Sequence, residues 1–153
     1  MKRLTITALT FVVLCSASCY ANSFFKGLVG RWKVASTSPS IERNLPHKMT
    51  FRLLRSGVLY IETKVSFSGQ TSLAKVWLYP KGTARGVNYF NGKETSRING
   101  DWQMRQGELH TTMNSGLQKT DSVWRRVNRN KYVIEGTGSE DGSFTSTLTR
   151  IRR

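Results

Sequence analysis

From residue 31 onward, apolar and polar side chains change places at nearly every step. Glycine, asparagine, aspartate and serine interrupt the pattern at short intervals. In the segment 48–55, KMTFRLLR, Met49, Phe51 and Leu53 share one face, and Lys48, Thr50 and Arg52 share the other. A repeat of two marks a strand with one buried face, because successive side chains on an extended backbone point to opposite sides. The same alternation runs through 58–68, where Leu59, Ile61, Val65 and Phe67 fall on one side and Thr63 breaks the apolar row. Segments 31–36, 72–79, 83–90, 94–98, 101–105, 108–113, 117–127, 131–137 and 143–152 continue it. Between them stand turn signals: Ser56-Gly57, Gly69-Gln70, Asn91-Gly92, Asn99-Gly100, Gln106-Gly107 and the proline-led Pro80-Lys81-Gly82. Asn-Gly between alternating segments is the strongest short-range hairpin signal.

Helical period is nearly absent. Residues 22–29, NSFFKGLV, read as a short helical or irregular lead-in, with Asn22 or Ser23 as N-cap. Segment 38–47 holds Pro39 and Pro46 and reads as a long loop. Short strands at regular spacing predict an all-β fold, an antiparallel up-and-down β-barrel of about 8–10 strands with a short N-terminal helix. A barrel is favoured over an open sandwich because closure removes the exposed edges.

The first residues follow another logic. Met1-Lys2-Arg3 is a positive start, residues 4–14 form an uncharged apolar run, and Cys19-Tyr20-Ala21 fits a cleavage site. A membrane span needs ~20 apolar residues, more than this run holds. Residues 1–21 are therefore expected to be a secretory signal peptide, and 22–153 a single barrel domain exported to the periplasm or beyond the cell. Cys15 and Cys19 both fall in the leader. The mature chain then has no disulfide, thiol nucleophile or thiolate metal site. Lipid modification at Cys19 is disfavoured, because Ser16 stands where bacterial lipoprotein sites usually carry leucine.

Charge narrows the partners. The chain carries 24 Lys+Arg against 9 Asp+Glu, a formal +15. Such a field attracts polyanions: acidic glycans, lipid headgroups, anionic membrane surfaces or nucleic acid. The cations are dispersed, without a long basic run. Catalytic constellations are missing. The two histidines, His47 expected in the loop and His110 on a strand face, have no partners at metal-ligand spacing. No Gly-x-Ser-x-Gly elbow or phosphate-binding glycine loop occurs, and the carboxylates are scattered. The reading is a non-enzymatic protein with no cofactor and no metal.

One constellation points to a family. Gly30-Arg31-Trp32 opens the first strand, an up-and-down series follows, and Arg150 stands in the last strand. Further on come Gly100-Asp101-Trp102, Gly107-Glu108-Leu109, Tyr132-Val133-Ile134 and Leu148-Thr149-Arg150. This order resembles the lipocalin-like (calycin) proteins, and among them small secreted bacterial barrel domains. The resemblance implies that Trp32 plugs one end of the barrel and Arg150 packs across its ring, with Gly30 allowing the bend into the sheet. A guanidinium over an indole face adds ~0.5–2 kcal/mol of attraction. Haem-binding relatives use a late histidine, and none follows His110. The resemblance also implies a binding protein for a small apolar or amphipathic ligand. The candidate contacts are Trp77, Tyr79, Tyr89, Trp102 and Trp124, aromatics set among basic residues and glycines. The alternatives are a basic surface binder of polyanions and an inhibitor- or immunity-type protein partner.

Overall fold

A computed structural model of the chain describes residues 21–37, 47–139 and 142–152. The expected leader, apart from Ala21, lies outside these residues, as do Cys15, Cys19 and the loop at 38–46. A helix over 21–28, α1, leads into ten strands. These are β1 (Gly30–Ser36), β2 (His47–Leu53), β3 (Leu59–Phe67), β4 (Gln70–Leu78) and β5 (Thr83–Phe90). They continue as β6 (Lys93–Arg105), β7 (Glu108–Ser115), β8 (Gln118–Asn128), β9 (Lys131–Gly138) and β10 (Gly142–Arg150). Each pairs antiparallel with its sequence neighbours, and β1 pairs with β10 to close the barrel.

The alternation sets the register. Trp32, Met49, Phe51, Leu59, Ile61, Leu109, Ile134 and Leu148 point inward and are buried, and their polar neighbours face solvent. Two predicted features change. Asn99-Gly100 is not a turn: both residues lie inside β6, a single strand of 13 residues. Gly100 faces the interior between Ala84 and Met113, and a methyl group there would lie 2.8 Å from the Met113 sulfur. Glycine is used here for close approach of neighbouring strands, not for reversal. His47 belongs to β2 rather than to the loop.

One end of the barrel is closed by α1. Phe24, Phe25 and Leu28 are buried against the fully buried Trp32 and Tyr132. The Tyr132 ring meets Trp32 and Phe24 edge-on, with centroids 5.2 and 5.5 Å away. Each large apolar side chain buried in this way contributes roughly 1.5–3 kcal/mol. A helix terminus leaves its last carbonyls unpaired, and here the barrel supplies the donors. Trp32 Nε1 donates to the Leu28 carbonyl at 2.7 Å. Arg150 donates to the carbonyls of Gly27 (2.6 Å) and Val29 (2.8 Å), and to that of Arg129 in the β8–β9 turn (3.2 Å). Its guanidinium carbon sits 4.2 Å from the Trp32 ring centroid. The cation also complements the negative end of the helix dipole. Gly30, at φ 131°, brings the chain so close to Arg150 that a methyl group would lie 2.8 Å from Nη1.

Replacing Arg150 with methionine keeps its stem and removes every donor. Urea denaturation of Arg150→Met is expected to show a loss of about 2–4 kcal/mol, the sum of lost charged hydrogen bonds and ring contact. Arg150→Lys should recover only part, because an ammonium cannot reach three carbonyls from the face of the ring. Wild-type stability in both variants would show that the guanidinium does not hold the closed end.

Candidate functional site

Above this packed floor the barrel is hollow. A cavity of about 410 Å³ occupies its upper half. Strand direction explains its position. β1 leaves the closed end and β2 returns to it, so Ser36 and His47 lie at the open end while Trp32 and Phe51 lie in the floor. The cavity is polarised along the barrel axis. Met49, Ile61, Trp124 and Ile134 form its lower lining, and Ala74, Val76, Ile98, Met113 and Phe144 add apolar wall.

Nearer the mouth, the inward positions carry hydroxyls and amides bonded to one another. Asn88 donates to Ser96 (2.9 Å) and Ser115 (2.8 Å), and those two serines lie 2.9 Å apart. Ser146 donates to Ser36 at 3.1 Å, and Thr111 pairs with Ser122 at 2.7 Å. Trp124 Nε1 donates to Ser122 at 3.0 Å, which fixes the indole in the lining. Mutual pairing lets these polar groups sit inside a barrel without a desolvation penalty. No aspartate, glutamate, lysine or arginine lines the cavity among the described residues.

His47 stands apart. Its side chain lines the cavity, and both ring nitrogens are buried with no hydrogen-bond partner among the described residues. Burial lowers its pKa, because the imidazolium loses hydration without gaining a counter-charge. The Tyr132 hydroxyl in the floor is also buried with no partner among the described residues, and burial raises its pKa.

The five aromatic residues proposed as ligand contacts separate in space. Trp124 lines the cavity. Trp102 points inward but below it, packed on Phe25 of α1 at 5.0 Å and donating to the Tyr79 carbonyl at 2.8 Å. Trp77, Tyr79 and Tyr89 lie on the outer side, where alternation puts the neighbours of the inward Val76, Leu78 and Asn88. Trp77 packs on Tyr60 at 5.3 Å, and Lys75 covers the Tyr89 ring at 5.4 Å. His47 was not among the proposed contacts. The two prolines before it read as loop and concealed the strand that turns it inward.

The architecture is a closed, ten-stranded, antiparallel up-and-down β-barrel. Among solved structures it is similar to the S-type phycobiliprotein lyase CPES from Guillardia theta, with a TM-score of 0.61 and 11% identity. That match covers 86% of this chain and 92% of the lyase. A redesigned β-barrel is also similar, with a TM-score of 0.51 and 16% identity over 84% of this chain and 95% of the design. No protein-family model matches the chain. No curated protein matches it in sequence. At these identities the likeness is one of fold.

The pH response of His47 has a definite sign. A lowered folded-state pKa means that the fold prefers the neutral ring. The contribution of this position is complete above the unfolded value of about 6.5 and is lost as pH falls below it toward the folded value. Thermal melts between pH 7.5 and pH 5, a range that brackets the ordinary histidine value of about 6.5, should show a midpoint that falls as the pH is lowered. His47→Gln should flatten that slope, and an unchanged slope would show that His47 does not titrate against burial. Asp121 acts in a lower range, since the Thr112 hydroxyl (2.5 Å) holds its carboxyl below the usual value.

Proposed function

We propose that this protein is an exported, non-enzymatic carrier that holds a small, neutral, largely apolar molecule in the upper cavity. The observation that supports this best is the lining itself. It is uncharged, apolar below and hydroxyl-bearing above, in a volume of about 410 Å³. Pockets for small molecules span ~300–1,000 Å³ and combine apolar walls with few polar groups. A charged ligand would have no counter-ion in such a lining. The unpartnered His47 nitrogens give the ligand's polar end one donor or acceptor, so an amphipathic molecule with a single polar terminus fits best. Access is through the open end, where Phe67 and Phe90 lie 6.4 Å apart and Leu117 is 95% exposed in the β7–β8 turn.

A neutral solvatochromic dye such as Nile red separates cavity binding from attraction to the basic surface. Saturable binding at one site is expected, with the emission shift of an apolar environment. Ala74 faces the cavity from β4. Ala74→Trp should fill the space, weaken the dye by roughly tenfold or more, and leave the melting midpoint close to wild type. Absence of saturable binding, or equal binding by the filled variant, would refute the carrier reading.

Export is tested separately. N-terminal sequencing of the protein from the periplasmic or extracellular fraction should begin at Asn22. Recovery of the full-length chain from the cytoplasm would refute it.

A further inference from the structure

Charges on the outer wall sort by strand. On β7–β9, acids and bases are already engaged with each other. Arg125 bridges Glu108 (2.7 Å) and Glu135, Lys119 lies 3.3 Å from Asp121, and His110 lies 3.7 Å from Glu108. Strands β1–β5 carry a single acid, Glu62, whose carboxylate accepts the Tyr60 hydroxyl at 2.8 Å.

One cross-strand row on this side contains only cations and a hydroxyl. Lys33 is opposite Lys48, and Lys48 is opposite Lys64. In the other direction Lys33 is opposite Thr149, and Thr149 is opposite Lys131. The row therefore reads Lys131, Thr149, Lys33, Lys48, Lys64 across β9, β10, β1, β2 and β3. All four lysines are exposed, and none makes an ion pair among the described residues. Like charges directly opposite in a sheet are destabilising, so the row costs the fold stability that an alternating arrangement would keep.

We propose that this row is a binding track for a linear acidic polysaccharide. Three features select that occupant. Adjacent strands are ~4.8 Å apart, so the row presents closely spaced cations to a polymer with recurring anionic groups. The row also curves round half of a closed ten-strand wall. A flexible chain can follow it, whereas a flat bilayer touches a cylinder along one line and meets only one or two of the lysines. The row lacks a stacking platform as well. Beyond Lys64 it passes Leu73 before reaching Tyr89, and that ring is covered by Lys75. Single-stranded nucleic acid gains much of its affinity by stacking bases on free aromatic faces. A sugar polymer needs the charges, and the Thr149 hydroxyl is placed among them.

Heparin serves as the probe. The variant Lys33→Gln, Lys48→Gln, Lys64→Gln is compared with Lys81→Gln, Lys93→Gln, Arg105→Gln, which removes the same formal charge at exposed positions outside the row. The row variant is expected to lose about tenfold or more in affinity and to show a flatter dependence on salt, whereas the control stays within roughly threefold of wild type. Lys48→Gln alone, the middle of the three lysines in direct register, should give a partial loss. Because opposed cations are removed, the row variant should melt at or above the wild-type midpoint. Equal losses in the two triple variants would reduce the effect to net charge and overturn the track. Tighter binding of anionic vesicles or single-stranded DNA than of heparin at the same salt would also overturn it. The row lies on the outer wall, so loss of heparin binding and loss of cavity binding are separable outcomes.

Discussion

The barrel depends on the way the last turn of α1 is finished. A short helix leaves several carbonyls unpaired at its end, and that of Leu28 is buried in the apolar floor, away from water. Two side chains from the closing strands take up the task. The Trp32 indole binds the Leu28 carbonyl, and the Arg150 guanidinium binds those of Gly27 and Val29 while lying on the Trp32 face. Trp32 and Arg150 are themselves opposite each other in the β1–β10 pair. The contact that caps the helix is thus the one that joins the first strand to the last. Plug and closure are one interaction, and a weakened cap would loosen the seam of the barrel as well as its floor.

That floor frees the upper half. The large side chains are concentrated at the closed end, and the inward positions above them carry small or hydroxylated residues such as Ala74, Thr63, Ser122 and Ser146. A barrel with large residues at every inward position would fill solid. The hydroxyl pairs keep the space dry of charge without collapsing it, and each pair joins adjacent strands: Thr111 with Ser122 across β7–β8, and Ser36 with Ser146 across β1–β10. The same bonds that satisfy the lining hold its shape. An uncharged preformed lining has little to reorganise when an apolar molecule enters.

Much of the fold was legible because burial in a barrel is one-sided, and one-sided burial writes a period of two into the chain. Turn dipeptides fixed most of the hairpins, as at Asn91-Gly92, where both residues take positive φ. Asn99-Gly100 carried the same letters and misled, because glycine serves two needs: φ reversal at a turn and absence of a Cβ within a strand. Only the pairing of β6 with both neighbours shows which one applies. The site was less legible for a related reason. An aromatic residue beside a cation reads the same whether its ring faces the lumen or the solvent, and Trp77 and Tyr89 face outward. Serine and threonine on an inward face interrupt the apolar alternation, so the polar half of the cavity looked like weakness in the strands. Thr63 in β3 is the clearest case.

Inside and outside follow opposite electrostatic rules. The described lining excludes charge, while the wall of β1–β5 accumulates one sign of it. This separation has a physical basis. A cation facing the lumen would need a buried counter-ion, whereas an exposed lysine keeps its hydration. Stability alone does not explain the row, because Lys33, Lys48 and Lys64 stand in direct register on neighbouring strands. On β7–β9 the same sheet interleaves acids with bases, and Arg125 engages two carboxylates. The sheet can therefore balance charge and leaves it unbalanced on one side. A polymer laid along that side would neutralise the repulsion within the row and leave the open end of the barrel free for a second, uncharged ligand.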